Sequence, residues 1–382
     1  HDDERFMRLA LRAARRGLGR TSPNPPVGAV VVRRGEVVGT GFHRRAGEAH
    51  AEVEALRAAG TRAHGATVYV TLEPCNHHGR TPPCTEALLA AGVRRVVIGA
   101  LDPNPNVSGG GKKRLASADV TVASGIAEGA CVELIAFFRK HSTTGAPFVT
   151  LKLAASLDGR IATAGGDSRW ITGPSSRRYV HRLRDQHDAV LVGARTIIDD
   201  DPELTCRLRG GRNPLRIVVD GRLRLPQRAR IVASAAVVPT LVLTARGADA
   251  DRVAALRAAG VEVVALPARD QRIPWPRILA QLGTRGLCSV LVEGGGDVAA
   301  SLLRARQVDR LQLFLAPKLI GGDGRPVLGP LGVEHMRDAL ELGPLRLRRF
   351  SEDLFLATRE LGSVPGRDEI SRRARVQRKK VR

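Results

Sequence analysis

"TLEPCNHHGRTPPC", Thr71 to Cys84, is the stretch on which the reading of this chain turns, together with "HAE", His50 to Glu52, upstream of it. Its two cysteines are separated by eight residues that include two histidines, an arginine and two prolines. Zinc favours four-coordinate sites made of His nitrogen and Cys sulfur, and a catalytic site keeps one position open for water. His50, Cys75 and Cys84 supply three such ligands. His50 opens a helical pattern, Cys75 follows a strand pattern and Cys84 precedes the next helix. Those are element ends, where side chains from separate segments can converge. Glu52, two residues past His50, can stay close to the metal without binding it. There it would take a proton from activated water and hand it to a leaving amine.

Outward from that stretch, helix and strand signals alternate. "DERFMRLALRAARRG" has helical apolar spacing and ends at glycine, and "VGAVVVRRGEVVGTGF" predicts a hairpin, Ala29–Val32 and Glu36–Gly39, around an "RRG" turn. "HAEVEALRAAG" predicts a helix closed by Gly60, "ATVYVTLEP" a buried strand, "TEALLAAG" a short helix and "RRVVIGALDPNP" a strand entering a turn. "DVTVASG" and a single helix over "IAEGACVELIAFFRKH" complete an α/β layered unit. "STTGAPF", Ser142 to Phe148, is short, small and polar and marks the joint. Beyond it come the strands "FVTLKLAASL", "DAVLVGA", "LRIVVD", "TLVLTA", "VEVVAL", "SVLVEGG", "RLQLFLAPKLIG" and "DLFLATRE". Between them lie helices such as "SSRRYVHRLRDQ", "ADRVAALRAAG" and "DVAASLLRAR". The expected second domain is mostly parallel with late antiparallel strands. The domain bounds are 1–144, 145–361 and a basic, disordered tail at 362–382, where apolar periodicity fails.

Composition narrows the class. At 382 residues with 43% apolar content the chain can build two cores, and 3% aromatics means they rest on Val, Leu, Ile and Ala. No run of eighteen apolar residues predicts a membrane span. The opening "HDDERFMRLALRAARR" lacks the apolar block of a signal peptide, and a start on His1 suggests that residues precede it. Five thinly spread cysteines argue for a reducing cytoplasm, with Cys131, Cys206 and Cys288 structural. The net charge of +23 raises nucleic acid, but the arginines are scattered and few aromatics are available to stack on bases. The charge is better suited to steering phosphorylated small molecules.

H-x-E followed by P-C and a second cysteine is the signature of zinc-dependent deaminases. Members acting on nucleic acids space the cysteines as C-x-x-C, whereas this chain has C-x8-C, so "NHHGRTPP" must form a loop at the mouth of the site. His77 and Arg80 in that loop suit a phosphate, while His78 is a solvated loop residue. "LVEGGGDVAASLL" is a strand, a glycine turn and a helix whose N-terminus suits a cofactor phosphate.

The stretches "TSPNPPVGAVVV", "HAEVEAL", "YVTLEPCNHHGRTPPC", "ALDPNPNVSGGG", "LKLAASLDGRIAT", "SRWIT", "DDDPELTCR", "LVEGG" and "APKLIGG" occur in order over about residues 5 to 360. Together they resemble the bifunctional deaminase/reductase of riboflavin biosynthesis. The resemblance implies a cytidine-deaminase-like α/β/α layered domain and a dihydrofolate-reductase-like α/β domain. It also implies two reactions: zinc-dependent hydrolytic deamination of 2,5-diamino-6-(5-phosphoribosylamino)pyrimidin-4-one, then NADPH-dependent reduction of the ribosyl group of 5-amino-6-(5-phosphoribosylamino)uracil to ribityl. By position, Asn24, His43, His77, Arg80 and Asn104 would hold ring, ribose and phosphate. Ala154, Trp170, Thr196, Asp200, Gly295 and Gly296 would line the NADPH site. Ser168, Arg184, Leu204, Arg207 and Glu293 would face the second substrate, with Lys152 and Glu293 polarising or protonating the reacting ribose. A homo-oligomer in the cytoplasm is the expected form. "GGGKKRLASADV", 109–120, departs from the family wording without touching a residue given a chemical role.

Two other readings compete. A nucleic-acid deaminase with an accessory binding domain would explain the charge, and C-x8-C with a reductase-like second half counts against it. A non-catalytic scaffold is opposed by the intact His50, Glu52, Cys75 and Cys84.

Overall fold

The computed structural model describes residues 2–78, 82–104, 107–359 and 361, and the expected basic tail lies outside them. The chain forms two compact units, one taking in the chain to Phe148 with Ala280–Cys288, the other Val149–Leu279 with the chain from Ser289 on.

In the first unit the order is α1 (Asp2–Ala14), β1 (Gly28–Arg33), β2 (Glu36–Phe42), α2 (Ala51–Ala59), β3 (Thr67–Leu72), α3 (Cys84–Ala90), β4 (Arg95–Ala100), α4 (Gly110–Ala116), β5 (Thr121–Ser124), α5 (Glu128–Leu134) and α6 (Ala136–Thr144). The strands make one sheet in the order β2-β1-β3-β4-β5, with β1 antiparallel to both β2 and β3, and β3, β4 and β5 parallel. Strand side chains alternate between faces. Accordingly Ala29, Val31, Val68, Val70, Val96 and Ile98 pack with Ala55, Leu88 and Leu115 of the following helices. Val30, Val32, Tyr69 and Val97 pack on the other face with Phe6, Met7, Ala10 and Cys131. Helices therefore cover both faces, an α/β/α sandwich. Gly39 and Gly41 let α2 lie close on β2: a Cβ would stand 2.2 Å from the Ala55 carbonyl oxygen at Gly39 and 2.3 Å from that of Ala51 at Gly41. That close approach sets the start of α2, and so His50 and Glu52.

The expected hairpin, strands and first three helices form. The single helix predicted over "IAEGACVELIAFFRKH" is instead two, α5 and α6, because Ile135 between them leaves helical geometry at φ −97°, ψ 15°. The expected joint is partly helical, since α6 runs to Thr144 and stops at Gly145, whose φ of 70° suits glycine.

The second unit begins with β6 (Phe148–Ser156), β7 (Arg160–Ala162), α7 (Pro174–Gln186), β8 (Ala189–Gly193), α8 (Ala194–Asp200), β9 (Leu215–Val219), α9 (Arg230–Ala233), β10 (Thr240–Ala245), α10 (Ala250–Ala258) and β11 (Glu262–Leu266). It continues through α11 (Trp275–Gly283), β12 (Ser289–Val292), α12 (Gly296–Arg304), β13 (Arg310–Ala316), β14 (Arg325–Pro326), β15 (Leu345–Phe350) and β16 (Asp353–Thr358). A nine-stranded sheet runs β11-β10-β9-β8-β12-β6-β13-β16-β15, and β7 pairs separately with β14. β8 to β11 and β12 are parallel, while β13, β16 and β15 pair antiparallel, as the late strands were expected to. The sequence reading did not include β15, whose "LRLRRF" is exposed along most of its length. Val190, Val192, Val218 and Val242 form the core with Leu256 of α10. No helix among the described residues is long and apolar enough to cross a membrane.

Candidate metal centre and reductase site

His50 is the residue before the first turn of α2, with extended backbone (φ −73°, ψ 164°) and no side-chain cap hydrogen bond to the helix. Cys75 follows β3 and Cys84 is the first residue of α3. Their donor atoms all lie within 4.8 Å of one another. His50 Nδ1 is 3.1 Å from Cys84 Sγ and 3.6 Å from Cys75 Sγ, and the Cys84 backbone N–H donates to Cys75 Sγ at 3.3 Å. Cys84 and His50 bond to the Cys75 sulfur and hold its thiol well below the usual range. Bonding to Cys75 and burial push the Cys84 thiol up. A divalent cation between the sulfurs would supply the positive charge that lets both ionise. The donor set therefore fits zinc: two soft sulfurs, an imidazole nitrogen and no disulfide.

Glu52, on the first turn of α2, is 3% exposed, and burial raises its carboxyl to about 7. A carboxyl near neutrality can both accept and donate a proton. His50, Glu52 and Cys75 border a cavity of about 520 Å³ in this unit. Of the residues expected to hold the first substrate, Asn24, His43, His77 and Asn104 all line the cavity. Arg80 lies outside the described residues. His43 is buried, which lowers its imidazole; its Nδ1 is 3.1 Å from the Ala49 carbonyl oxygen and so carries the proton, leaving Nε2 to accept from Asn24 Nδ2 at 3.1 Å. Sequence reasoning missed Asp102 and Phe138 at the cavity wall. Asp102 lies in the quoted "ALDPNPN", but Phe138 sits on α6 with no motif around it.

In the second unit Lys152 and Ala154 lie on β6, Thr196 and Asp200 on α8 behind β8, and Glu293 to Gly296 at the end of β12 and start of α12. β8, β12 and β6 are consecutive in the sheet. Arg184, on α7, donates to both carboxylate oxygens of Glu293, Nε to Oε1 at 2.6 Å and Nη2 to Oε2 at 2.9 Å, and its Nη1 donates to the Thr205 carbonyl oxygen at 2.9 Å. Burial alone would raise the Glu293 carboxyl, but Arg184 and Lys152 outweigh it and hold it below its ordinary value. Burial lowers the Lys152 ammonium, opposed by Glu293. Lys152, Arg184 and Glu293 thus form one largely buried charge cluster. Ser168 donates to Asp200 Oδ1 at 3.2 Å, which joins two more of the expected residues. Trp170 is exposed with the Arg177 guanidinium 4.5 Å from its ring centroid. Leu204 is buried in the core at φ 56°, and Arg207 is exposed and paired with Glu203 at 3.3 Å. Gly295 precedes the first turn of α12, where no side chain caps the helix and a Cβ would meet open space. The uncapped N–H groups at Gly295 fit a dinucleotide phosphate, while Gly296 lies close to backbone, with the Pro326 carbonyl oxygen 2.9 Å from where a Cβ would stand.

Fold and site together define a zinc-dependent deaminase joined to a dihydrofolate-reductase-like reductase. Residues 1–100 match the cytidine and deoxycytidylate deaminase zinc-binding region, and residues 147–356 match the RibD C-terminal domain. The chain is 42% identical over 356 residues to the riboflavin biosynthesis protein RibD of Bacillus amyloliquefaciens, covering 93% of this chain and 95% of that protein. It is 43% identical to Escherichia coli RibD over 367 residues, covering 93% and 98%. Acinetobacter baumannii RibD superposes with a TM-score of 0.84 at 37% identity, covering 94% of this chain and 99% of that one. The Thermotoga maritima diaminohydroxyphosphoribosylaminopyrimidine deaminase/5-amino-6-(5-phosphoribosylamino)uracil reductase superposes with a TM-score of 0.82 at 37% identity and the same coverage. The chain belongs to the RibD family of bifunctional deaminase/reductases of riboflavin biosynthesis, whose cofactors are zinc and NADPH.

Proposed function

We propose that residues 1–144 deaminate 2,5-diamino-6-(5-phosphoribosylamino)pyrimidin-4-one and residues 145–361 reduce the ribosyl group of the product. The observation that carries the first step is the buried Glu52 carboxyl on the same cavity as the converged His50, Cys75 and Cys84. Zinc, held by those three residues, supplies the Lewis acidity that makes water a nucleophile near neutral pH. Glu52 takes the proton that water gives up and returns it to the departing amine, so the carboxyl ends each cycle as it began. His43 and Asn24 hold each other in one orientation and present a fixed edge to the pyrimidine. His77, Arg80 and Asn104 bind ribose and phosphate.

In the second step Lys152 is the proton donor, because burial makes its ammonium more acidic. Glu293 stays ionised and fixes Arg184 and Lys152 by charge. Arg184, Ser168 and Arg207 position the ribose and phosphate, and Leu204, whose side chain is packed in the core, contributes through its backbone. Gly295 and Gly296 receive a phosphate of NADPH, with Ala154, Trp170, Thr196 and Asp200 along its length; the cofactor supplies the hydride. The protein acts in the cytoplasm as a homo-oligomer. Supplying the diaminopyrimidine ribotide and NADPH should yield the ribityl aminouracil phosphate by mass, with ammonia and NADP+ released. An unchanged ribotide would refute the assignment, and turnover of single-stranded nucleic acid would favour the editing alternative.

A further inference from the structure

Glu73 has no part in the chemistry above, yet it is 5% exposed and sits two residues before Cys75 at the end of β3. Its Oε2 accepts from the backbone N–H groups of Asp102 at 3.2 Å and Gly109 at 2.9 Å, and its Oε1 accepts from that of Lys112 at 2.9 Å. Its own N–H donates to the Ala100 carbonyl oxygen at 2.9 Å. Those partners lie on both sides of Asn104, which lines the cavity together with Asp102 and Val107. The fit between the two segments is close: a Cβ on Gly111 would stand 2.0 Å from the Pro74 carbonyl oxygen. Three backbone donors converge on one side chain, and a carboxylate accepts at both oxygens. An amide would turn an NH2 group toward at least one of these N–H groups.

We infer that Glu73 is a positioning residue for deamination: its carboxylate ties the segment bearing Asn104 to the segment bearing Cys75, and so holds Asn104 at the cavity wall. The inference rests on the reading of Asn104 as a substrate contact. Glu52, His50 and Cys84 reach the cavity from other segments, and Cys75, on the Glu73 segment, is held by the Cys84 N–H at 3.3 Å, so a loosened Asn104 weakens substrate capture and leaves the chemical step. If the held arrangement falls to about one-tenth of the population, apparent affinity falls on the order of tenfold.

The test measures ammonia release against ribotide concentration for the full chain, Glu73→Gln, Asn104→Ala and the double variant, with zinc content and NADPH oxidation as controls. Glu73→Gln should raise KM about tenfold with kcat within about twofold. The double variant should be no worse than Asn104→Ala, because both changes remove the same contact. A fall in kcat at unchanged KM, loss of zinc, or additive effects in the double variant would overturn the inference. Asn104→Ala with a wild-type KM would instead show that the reading of Asn104 is wrong, and raised KM in Asn104→Ala but not in Glu73→Gln that the clamp is. Where Glu73→Gln fails to accumulate, Glu73→Asp keeps the charge one methylene short: a raised KM supports the clamp and a wild-type KM overturns it.

Discussion

Replacing Arg184 by Met should cost the reductase unit a large part of its stability. Arg184 and Glu293 pair at 2.6 and 2.9 Å with side chains only 12% and 8% exposed, so neither has water to fall back on. Removing one member of such a pair strands the other charge and costs about 3–5 kcal/mol. Lys152 remains beside Glu293 and compensates in part, which places the expected loss at the low end, ~3 kcal/mol. At roughly 2–4 °C per kcal/mol for a domain of this size, the reductase transition should fall by about 6–12 °C in thermal unfolding followed by circular dichroism. Arg184→Met/Glu293→Leu/Lys152→Met should recover most of that, since an apolar trio of similar volume carries no stranded charge. A fall of less than about 2 °C for Arg184→Met, or a triple variant as unstable as the sum of the singles, would refute the argument.

Glu52→Gln should keep its zinc and lose deamination by ~10²–10⁴-fold, the usual contribution of general acid/base work; near-wild-type ammonia release would remove Glu52 from that role. His187 is fully buried, with its Nδ1 2.7 Å from the Leu183 carbonyl oxygen and its Nε2 2.9 Å from Thr150 Oγ1, and burial lowers its imidazole to about 4. The unfolded chain binds that proton near pH 6.5 and the folded one near 4, so stability should be lost as pH falls through that window, by about 3 kcal/mol in full. Denaturant titrations of His187→Gln should lack that part of the slope, and an unchanged slope would assign it elsewhere. Gly41→Ala should displace α2 through the 2.3 Å contact with Ala51, lowering zinc content and deamination together; a fully active, zinc-loaded variant would show that the approach of α2 is not what sets His50.

The metal trio was legible because its chemistry needs particular residue types at element ends, and no packing role selects two cysteines, a histidine and a glutamate in that order. The strands were legible because β1, β3 and β8 are short Val-rich runs bounded by turns. Three features were not. The break at Ile135 carries no glycine or proline, and only tertiary packing decides between one helix and two. Strand β15 alternates Leu and Arg on exposed faces, so what anchors it is the ladder with β16 and the packing of its last residue, Phe350, on Tyr179 and Phe355. The partners of Glu73 are backbone N–H groups some thirty to forty positions away, and the partner of Arg184 lies 109 positions away. Such pairings leave no local pattern to read.

The account rests on one zinc ion shared by His50, Cys75 and Cys84 as the source of deamination, separate from hydride transfer. Elemental analysis of the wild type and of Cys84→Ser, each with ammonia release and NADPH oxidation on the deaminated ribotide, tests this most directly. One zinc per wild-type chain, with Cys84→Ser losing both metal and ammonia release but still oxidising NADPH, is the predicted result. A wild-type chain that deaminates without zinc, or a Cys84→Ser chain that deaminates at the wild-type rate, would contradict it.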